Sequence, residues 1–454
     1  MKPVLMGLLL AVGLVVALLL AQPVASGTVA SGTVASGTLA PTPVASVAFG
    51  GGEFAPGPLD EISPTERAAI EAMIAANIAR LTQQGRLAAP AAADRVSLGW
   101  PLSPRDGFND PGYFGVTGYV DHDPAYPNQV RDYTCGRRTY DSSSGYNHQG
   151  TDYFLWPFAW NKMAAGDVRV VAAADGVIVG RREGNPDQSC GSGGQWNAVY
   201  VRHADGSIAW YGHLKRDSLT AKPVGAAVSR GEVLGLVGSS GNSGGPHLHF
   251  ELYAPGGQLL DPYAGSCNPL DGGSWWAEQR EYYDAAVNKL MTGTAAVERG
   301  TCPAPDITHE VTQFQPGDRI TFTTFYRDQL NSLPSTYRIV APNGTVYAQW
   351  SHSSSTPHAP LSYWYWAYNF PTTAQTGTWR FEVTFNGRTY AHAFTLGQPS
   401  TTTPTPTPSV TPTITPTPTP SITPTPSITP TPSITPTPWV PTDFVYVPAV
   451  ASDE

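Results

Sequence analysis

Short runs of β-branched and aromatic residues, broken every few positions by Gly, Asp or Asn, restrict most of this chain to β structure. The runs extend from residue 96 to about 270 and again from 303 to 398. Gly (46) and Pro (44) make up about a fifth of the 454 residues, which disfavours long helices. We therefore predict a mainly β protein, with an antiparallel β-sheet domain at 96–270 and a C-terminal β-sandwich at 303–398.

Two dipeptides indicate tight turns inside these regions. An Asp-Gly pair at 205–206 separates the strand-like runs 199–202 and 208–211, and the run TWRFEVTF ends at an Asn-Gly pair, 386–387. Residues of these types tolerate the left-handed backbone conformation that tight hairpin turns require. The first is a strong signal for a β-hairpin, and the second marks a turn at the end of a strand.

Two segments carry helical signals. The run Ser-Pro-Thr-Glu at 63–66 combines an N-cap serine, proline at the first helical position and glutamate at the third, and apolar residues follow at helical spacing. We predict one helix over about 64–84, within the segment 59–95. It is interpreted as packing against the main domain, and the alternative is a regulatory propeptide. The segment 271–302 is predicted to be a helical connector.

The N-terminus has the features of an export signal, because Lys2 precedes an apolar run from residue 4 to 21 that contains no charge. We interpret residues 1–26 as a cleaved signal peptide. A run of this length also suffices for an uncleaved membrane anchor. Both interpretations place the remainder of the chain outside the cytoplasm, in the extracellular space or at the cell surface, with membrane contact only through this segment.

An exported chain with an even number of cysteines is expected to form disulfides. No two cysteines are spaced as C-x-x-C, which argues against a thiolate zinc site. Three pairings are possible for Cys135, Cys190, Cys267 and Cys302. We predict Cys135 with Cys190 and Cys267 with Cys302, the first bridge closing a loop of about 55 residues and contributing about 4 kcal/mol in the chain-entropy model.

Low-complexity sequence surrounds the predicted domains. The pentapeptide VASGT occurs three times from residue 24 to 38, within a spacer that we place at 27–58. Thr-Pro repeats predict an extended polyproline II linker at 399–438. The last segment, 439–454, is apolar but too short to span a bilayer, and a sorting signal and a small docked strand both fit it.

Charge excludes one class of partner. The formal net charge is −9, and only 13% of residues are Asp, Glu, Lys or Arg. Nucleic-acid binding depends on clustered basic residues, so we predict no nucleic-acid partner. The sequence leaves the oligomeric state open.

Four histidines are candidate functional residues of this sequence: His148, His213, His247 and His249. His247 and His249 are two apart on a predicted strand, where alternation sends both imidazoles to one face and Leu248 to the other. The preceding Gly-rich loop, 238–246, lacks the Gly-Lys-Ser/Thr ending of a phosphate-binding loop and leads into a strand. A phosphate site is therefore not expected.

His148 and Asp152 supply a second half of the pattern, four residues apart around a glycine. Histidine and aspartate are suitable zinc ligands, and three protein ligands leave one tetrahedral position open for water, as catalytic zinc sites require. The HExxH signature is absent, because Gln313 stands where His309-Glu310 would need a second histidine.

These motifs resemble the LytM-type, lysostaphin-like zinc metallopeptidases, over about residues 98–262. The resemblance rests on NHQGTDY, VVAAADGVIVG, VRHADGS, YGHL and SGNSGGPHLHFEL, in this order. It implies a lysostaphin-like, duplicated hybrid motif fold for 96–270 and cleavage of stem peptides or cross-bridges in bacterial peptidoglycan. It further implies one Zn²⁺ bound by His148, Asp152 and His249, with His213 and His247 as catalytic residues.

Two stretches depart from the family pattern. The link between Asp152 and the AADG strand is longer than in the family, and its aromatic residues Trp156, Phe158 and Trp160 fit either a substrate groove or core packing. The loop 183–196, which contains Cys190, is an insertion.

The sequence thus predicts an exported zinc endopeptidase that cleaves peptidoglycan with water activated by the metal. Two alternatives remain open. One is a non-catalytic protein that binds the cell wall or activates another enzyme. The other is a general extracellular protease that acts on Gly-rich proteins.

Overall fold

The computed structural model describes residues 45–55, 62–90, 95–191 and 193–397. In this part of the chain no helix is both long enough and apolar enough to cross a membrane. Several predicted segments lie wholly or mostly outside the described residues: the signal peptide or anchor at 1–26, much of the spacer at 27–58, the linker at 399–438 and the segment 439–454.

Strands predominate among the described residues. In chain order the elements are β1 (Ala48–Glu53), α1 (Pro64–Gln83), β2 (Leu102–Pro104), β3 (Phe114–Gly118), β4 (Thr151–Leu155), α2 (Ala159–Ala165), β5 (Val168–Val171), β6 (Gly176–Arg182), β7 (Ala198–Arg202), β8 (Ile208–Gly212), β9 (Ala227–Val228), β10 (Val233–Leu236), β11 (His247–Tyr253), β12 (Leu259–Leu260), β13 (Ala286–Gly293), β14 (Gln313–Phe314), β15 (Arg319–Leu330), β16 (Ser335–Val340), β17 (Val346–His352), β18 (His358–Asn369), β19 (Gly377–Phe385) and β20 (Arg388–Leu396). The prediction of a mainly β fold is confirmed.

The predicted catalytic region is built on one large sheet with the strand order β3-β4-β11-β8-β7-β6-β9, and β12 pairs with β11. The pairings of β11 with β4 and with β8 are antiparallel, as is that of β7 with β8. A smaller sheet, β10-β5-β2, shares its core, which includes Val170, Leu234 and Phe250. One face of the large sheet is thereby buried, which determines the register of each strand.

The C-terminal region contains a four-stranded sheet, β1-β18-β15-β13, and a five-stranded sheet, β14-β20-β19-β16-β17. Phe322 and Trp366 of the first sheet and Phe381 and Tyr337 of the second lie in one buried cluster. Two sheets that enclose a common apolar layer form a β-sandwich.

Two strands of the four-stranded sheet were not expected. The helix predicted within 271–302 is wrong, because Ala286–Gly293 is the strand β13. This strand is buried on both faces, with Val287 and Met291 in different clusters. Its sequence therefore lacks the alternation of apolar and polar residues that identifies a strand with one exposed face. Strand β1 lies inside the predicted spacer and pairs with β18 along its whole length. Gly50 allows β1 to lie close to β18, since a Cβ atom at position 50 would stand 2.6 Å from Tyr365 Oη.

The predicted N-terminal helix is confirmed as α1. Ser63 is its N-cap, and the Ser63 hydroxyl accepts a hydrogen bond from the Glu66 backbone N–H at 3.1 Å. Ile70, Ile74 and Leu81 are buried in a cluster that also contains side chains of β6, β7 and β8. The helix therefore packs against the large sheet.

The two turn predictions are also confirmed. The Asp-Gly pair lies between β7 and β8, which are antiparallel. The Asn-Gly pair joins β19 to β20 directly, with φ of 46° at Asn386 and 71° at Gly387. Positive φ at both central residues is the type I′ geometry that matches the twist of a hairpin.

The predicted disulfide pairing is wrong. The bridges are Cys135–Cys267 and Cys190–Cys302, which join residues 132 and 112 positions apart. The tertiary structure determines which cysteines pair. The Cys267 backbone N–H donates to Tyr133 O, which places Cys267 beside Cys135. Bridges of this span close much longer loops of the unfolded chain than neighbouring cysteines would.

Free thiols distinguish the two pairings. We expect the double variant Cys135→Ser/Cys190→Ser to expose two thiols in denaturant without reductant, because it would break both bridges. The control Cys135→Ser/Cys267→Ser should expose none and lower the free energy of unfolding by up to about 5 kcal/mol in urea titrations. The reverse pattern of thiol counts would contradict the observed pairing.

Candidate active site

The candidate site lies where β4 and β11 run side by side. In their antiparallel register Asp152 is opposite His249, and Phe154 is opposite His247. Leu248 and Phe250, the alternate residues of β11, are in the core. The prediction that both histidines share one strand face is therefore confirmed.

The three predicted metal ligands come together. His249 Nδ1 lies 2.8 Å from Asp152 Oδ1, and His148 Nε2 lies 3.2 Å from Asp152 Oδ2. The two imidazole nitrogens are 3.4 Å apart. All three residues are buried, and among the described residues they form a group with one ligand atom each within 4.8 Å of the others.

Hydrogen bonds on the far side of each ring determine which nitrogen faces this group. His148 Nδ1 lies 2.6 Å from Tyr119 O, and His249 Nε2 lies 2.9 Å from Glu251 Oε1. A carbonyl and an ionised carboxylate only accept, so these two nitrogens carry the hydrogens. The nitrogens directed at Asp152 are then acceptors, as a metal ligand must be. The donor set therefore fits a metal ion.

The two predicted catalytic histidines lie beside the group. The ring centroids of His213 and His247 are 4.5 Å apart, and His247 Nε2 is 3.7 Å from Asp152 Oδ1. Each Nδ1 faces a backbone carbonyl, that of Ser240 for His213 and that of Gly245, at 2.8 Å, for His247. Nε2 is therefore the acceptor nitrogen of each neutral ring.

The structure thus brings together all five residues singled out from the sequence. Their division into metal ligands and catalytic residues stays a prediction. His203, in the motif VRHADGS, is buried and donates from Nδ1 to Asp175 O at 2.8 Å. Desolvation by burial lowers its pKa.

Sequence reasoning missed two residues of the site. Tyr140 donates its hydroxyl hydrogen to Asp152 Oδ2 at 3.0 Å, and its ring stacks on His148. It lies on a loop whose sequence carries no periodic signal. Glu251 follows His247 and His249 at the same two-residue spacing, so the alternation of the strand would have predicted its place on this face.

Glu251 is a buried carboxylate in contact with a cation. Desolvation acts to raise its pKa, but the charge and hydrogen bonds of Arg67, together with the hydrogen bond to His249, outweigh this and hold the pKa well below its ordinary value. Glu251 is therefore ionised and accepts hydrogen bonds at neutral pH.

The two departures from the family pattern have different environments. Trp156 and Phe158 are buried in the main core and Trp160 packs against it, so these residues serve core packing. The loop 183–196, interpreted above as an insertion, lies against the Gly-rich loop, where Ser189 N–H donates to Ser239 O and Gly191 N–H to Ser243 O. The bridge from Cys190 to Cys302 anchors this loop next to the site.

Comparison with known proteins finds a family match over the segment that contains the site. Residues 147–262 match the model of peptidase family M23. A DD-carboxypeptidase/endopeptidase Mpg of Neisseria meningitidis serogroup B is 39% identical over 117 residues, which cover 25% of this chain and 22% of that protein. The peptidoglycan DD-endopeptidase ShyC of Vibrio cholerae is 32% identical over 109 residues, covering 24% of this chain and 21% of that protein. The match therefore spans about a fifth of the length of these curated relatives.

Among solved structures, the catalytic domain of lysostaphin from Staphylococcus simulans is similar to this chain. It is 25% identical, with 33% of this chain and 89% of that chain covered and a TM-score of 0.22. The sequence matches over 147–262 confirm the resemblance to the LytM-type, lysostaphin-like peptidases that the motifs indicated.

Gly150 provides a test of the ligand geometry. A Cβ atom at this position would lie 2.6 Å from His249 Nε2 and 2.7 Å from Phe250 O, so Gly150→Ala must displace the ring. With Zn²⁺ as the probe ion, we expect a loss of about tenfold to a hundredfold in affinity, measured by chelator competition.

The matched control is Gly235→Ala, whose added methyl would meet Leu214 Cδ1 at 3.3 Å, its nearest neighbour. It should bind the ion as the unaltered protein does. Equal affinity in both variants would contradict the role of His249 in holding the ion.

Proposed function

We propose that this chain is an exported zinc endopeptidase that hydrolyses peptide bonds of bacterial peptidoglycan by metal-assisted attack of water. The observation that carries the proposal is the convergence of His148, Asp152 and His249, beside two further histidines, within a segment that matches peptidase family M23. Three protein ligands leave a coordination position open, which distinguishes catalytic from structural zinc sites.

The proposed cofactor is one Zn²⁺ per catalytic domain, held by His148 Nε2, His249 Nδ1 and the Asp152 carboxylate. When bound, zinc lowers the pKa of a coordinated water towards about 7 and polarises a carbonyl. The protein contributes a buried, pre-oriented ligand set, since His148 and His249 are each held by a hydrogen bond on the far side of the ring.

His213 and His247 are proposed to move protons. Their Nδ1 hydrogens are held by backbone carbonyls, so each Nε2 can accept the proton of the attacking water. A ring that has accepted this proton is an imidazolium, which can donate a hydrogen bond to the developing oxyanion and later protonate the leaving amine. No covalent bond to the protein is required.

The proposed substrates are stem peptides or cross-bridges of peptidoglycan. Support comes from the similar proteins, one of which is named a peptidoglycan DD-endopeptidase. Export is consistent with the two disulfides, because such bridges persist in oxidising compartments. We therefore propose that the protein acts outside the cytoplasm.

Substitutions should separate the two proposed sets of residues. We expect Asp152→Ala and His249→Ala to lose stoichiometric zinc, because each removes a ligand. His213→Ala and His247→Ala should keep zinc and lose about 10²-fold to 10⁴-fold in turnover, because each removes a proton-transfer group. Metal content by mass spectrometry and initial rates of peptide release measure both effects.

One zinc per chain in both Asp152→Ala and His249→Ala would show that the ligand assignment is wrong. Unchanged turnover in either His213→Ala or His247→Ala would remove that residue from the mechanism.

The function itself is tested by incubating the zinc-loaded full chain with purified peptidoglycan, alongside a chelator-treated sample, and analysing released fragments by mass spectrometry. New amino termini that depend on the metal would establish an endopeptidase and identify the bond. Binding without release would favour a non-catalytic wall protein. Cleavage of Gly-rich proteins alone would instead favour a general extracellular protease.

A further inference from the structure

We propose that Arg67 of helix α1 is a positioning residue for the metal ligand His249 and acts through the buried carboxylate of Glu251. The proposal rests on the proposed zinc site. It assigns a part in that site to a helix that lies outside the residues matched by the family model, 147–262.

Three groups surround the Glu251 carboxylate, whose side chain has no exposed surface. Arg67 Nη1 donates to Oε2 at 2.8 Å, and Arg67 Nη2 donates to Oε1 at 2.9 Å. Tyr253 Oη donates to Oε2 at 2.5 Å, and His249 Nε2 donates to Oε1 at 2.9 Å. Both carboxylate oxygens are therefore held by at least two donors each.

The guanidinium determines the orientation of this carboxylate. Two parallel hydrogen bonds from the rigid fork of an arginine hold both oxygens in one plane, which a single point charge cannot do. With the plane held, Oε1 is directed at His249 Nε2. The ring of His249 then presents Nδ1 to Asp152, which is the orientation that the ligand set requires.

Arg67 is itself held in place. Its side chain is 13% exposed, and its guanidinium carbon lies 5.3 Å from the centroid of the Trp210 ring. The helix that carries it is anchored by Ile70, Ile74 and Leu81 in the cluster with strands β6, β7 and β8. The position of α1 is thus coupled to the geometry of the site through one chain of contacts.

A simpler role for Arg67 would be to attach α1 to the sheet. The neighbouring pair of Glu66 and Arg182 provides the comparison, because Arg182 Nη1 lies 3.1 Å from Glu66 Oε1 and so joins the same helix to β6. Both arginines are partly buried, and each pairs with a carboxylate across the contact between α1 and the large sheet. Of the two, Arg67 is the one that contacts Glu251.

The test compares Arg67→Met with Arg182→Met in the full chain, and the readout is the Zn²⁺ dissociation constant from chelator competition. We expect Arg67→Met to weaken zinc binding about tenfold, the lower end of the range for an outer-shell partner, because Arg67 acts on His249 only through Glu251. Arg182→Met should retain the affinity of the unaltered protein, although both variants lower the thermal stability of the metal-free protein. A double variant Arg67→Met/Glu251→Gln should bind zinc no more weakly than Glu251→Gln alone, because the effect passes through Glu251.

The proposal is overturned if Arg67→Met binds zinc as tightly as the unaltered protein or as Arg182→Met. If Arg67→Met does not fold, Arg67→Lys serves in its place. Lysine retains the charge without the fork, so its zinc affinity should fall at least severalfold, and an unchanged affinity would overturn the proposal. These measurements need no peptidoglycan. Absence of peptide release by the zinc-loaded unaltered protein would therefore refute the proposed function without affecting this comparison.

Discussion

The antiparallel pairing of β4 with β11 is the constraint on which the site depends. Its register places Asp152 opposite His249, while Leu248 and Phe250 enter the core on the other face. A shift of the pairing by one residue would send the histidines into the apolar layer. Burial of one sheet face therefore determines the register, and the register brings the predicted ligands together. The pairing of β11 with β8 then places His249 opposite Gly212, next to His213.

Several imidazoles and carboxylates are buried in this small region, which is unfavourable unless each is hydrogen-bonded. Backbone carbonyls of loops meet much of this requirement, and they accept from His148, His213 and His247. Small residues make room for the rings. A Cβ atom at Gly212 would stand 2.2 Å from the Trp196 ring, which in turn contacts His213. The site thus depends on close backbone approach as much as on its charged groups.

The C-terminal sandwich and the predicted catalytic region share one buried cluster rather than packing separately. Phe325 of β15 lies in the same buried cluster as Trp156, and Trp156 Nε1 donates to Tyr326 O at 2.9 Å. Asn288 of β13 donates to Phe114 O at 2.8 Å, across the same contact. Strand β13 therefore belongs to the sandwich sheet and also contacts the predicted catalytic region, which explains its burial on both faces.

Features that depend on residues close together in the chain could be predicted from the sequence. The N-cap of α1, the turn at 386–387 and the alternation of His247 with Leu248 and His249 all follow from local conformation. Sequence reasoning did not find the disulfide partners, the strand β13 or the contact between Arg67 and Glu251, which are 184 residues apart and are brought together by the fold. Contacts between residues so distant in the chain depend on how the sheets pack, and local periodicity contains no information about that packing.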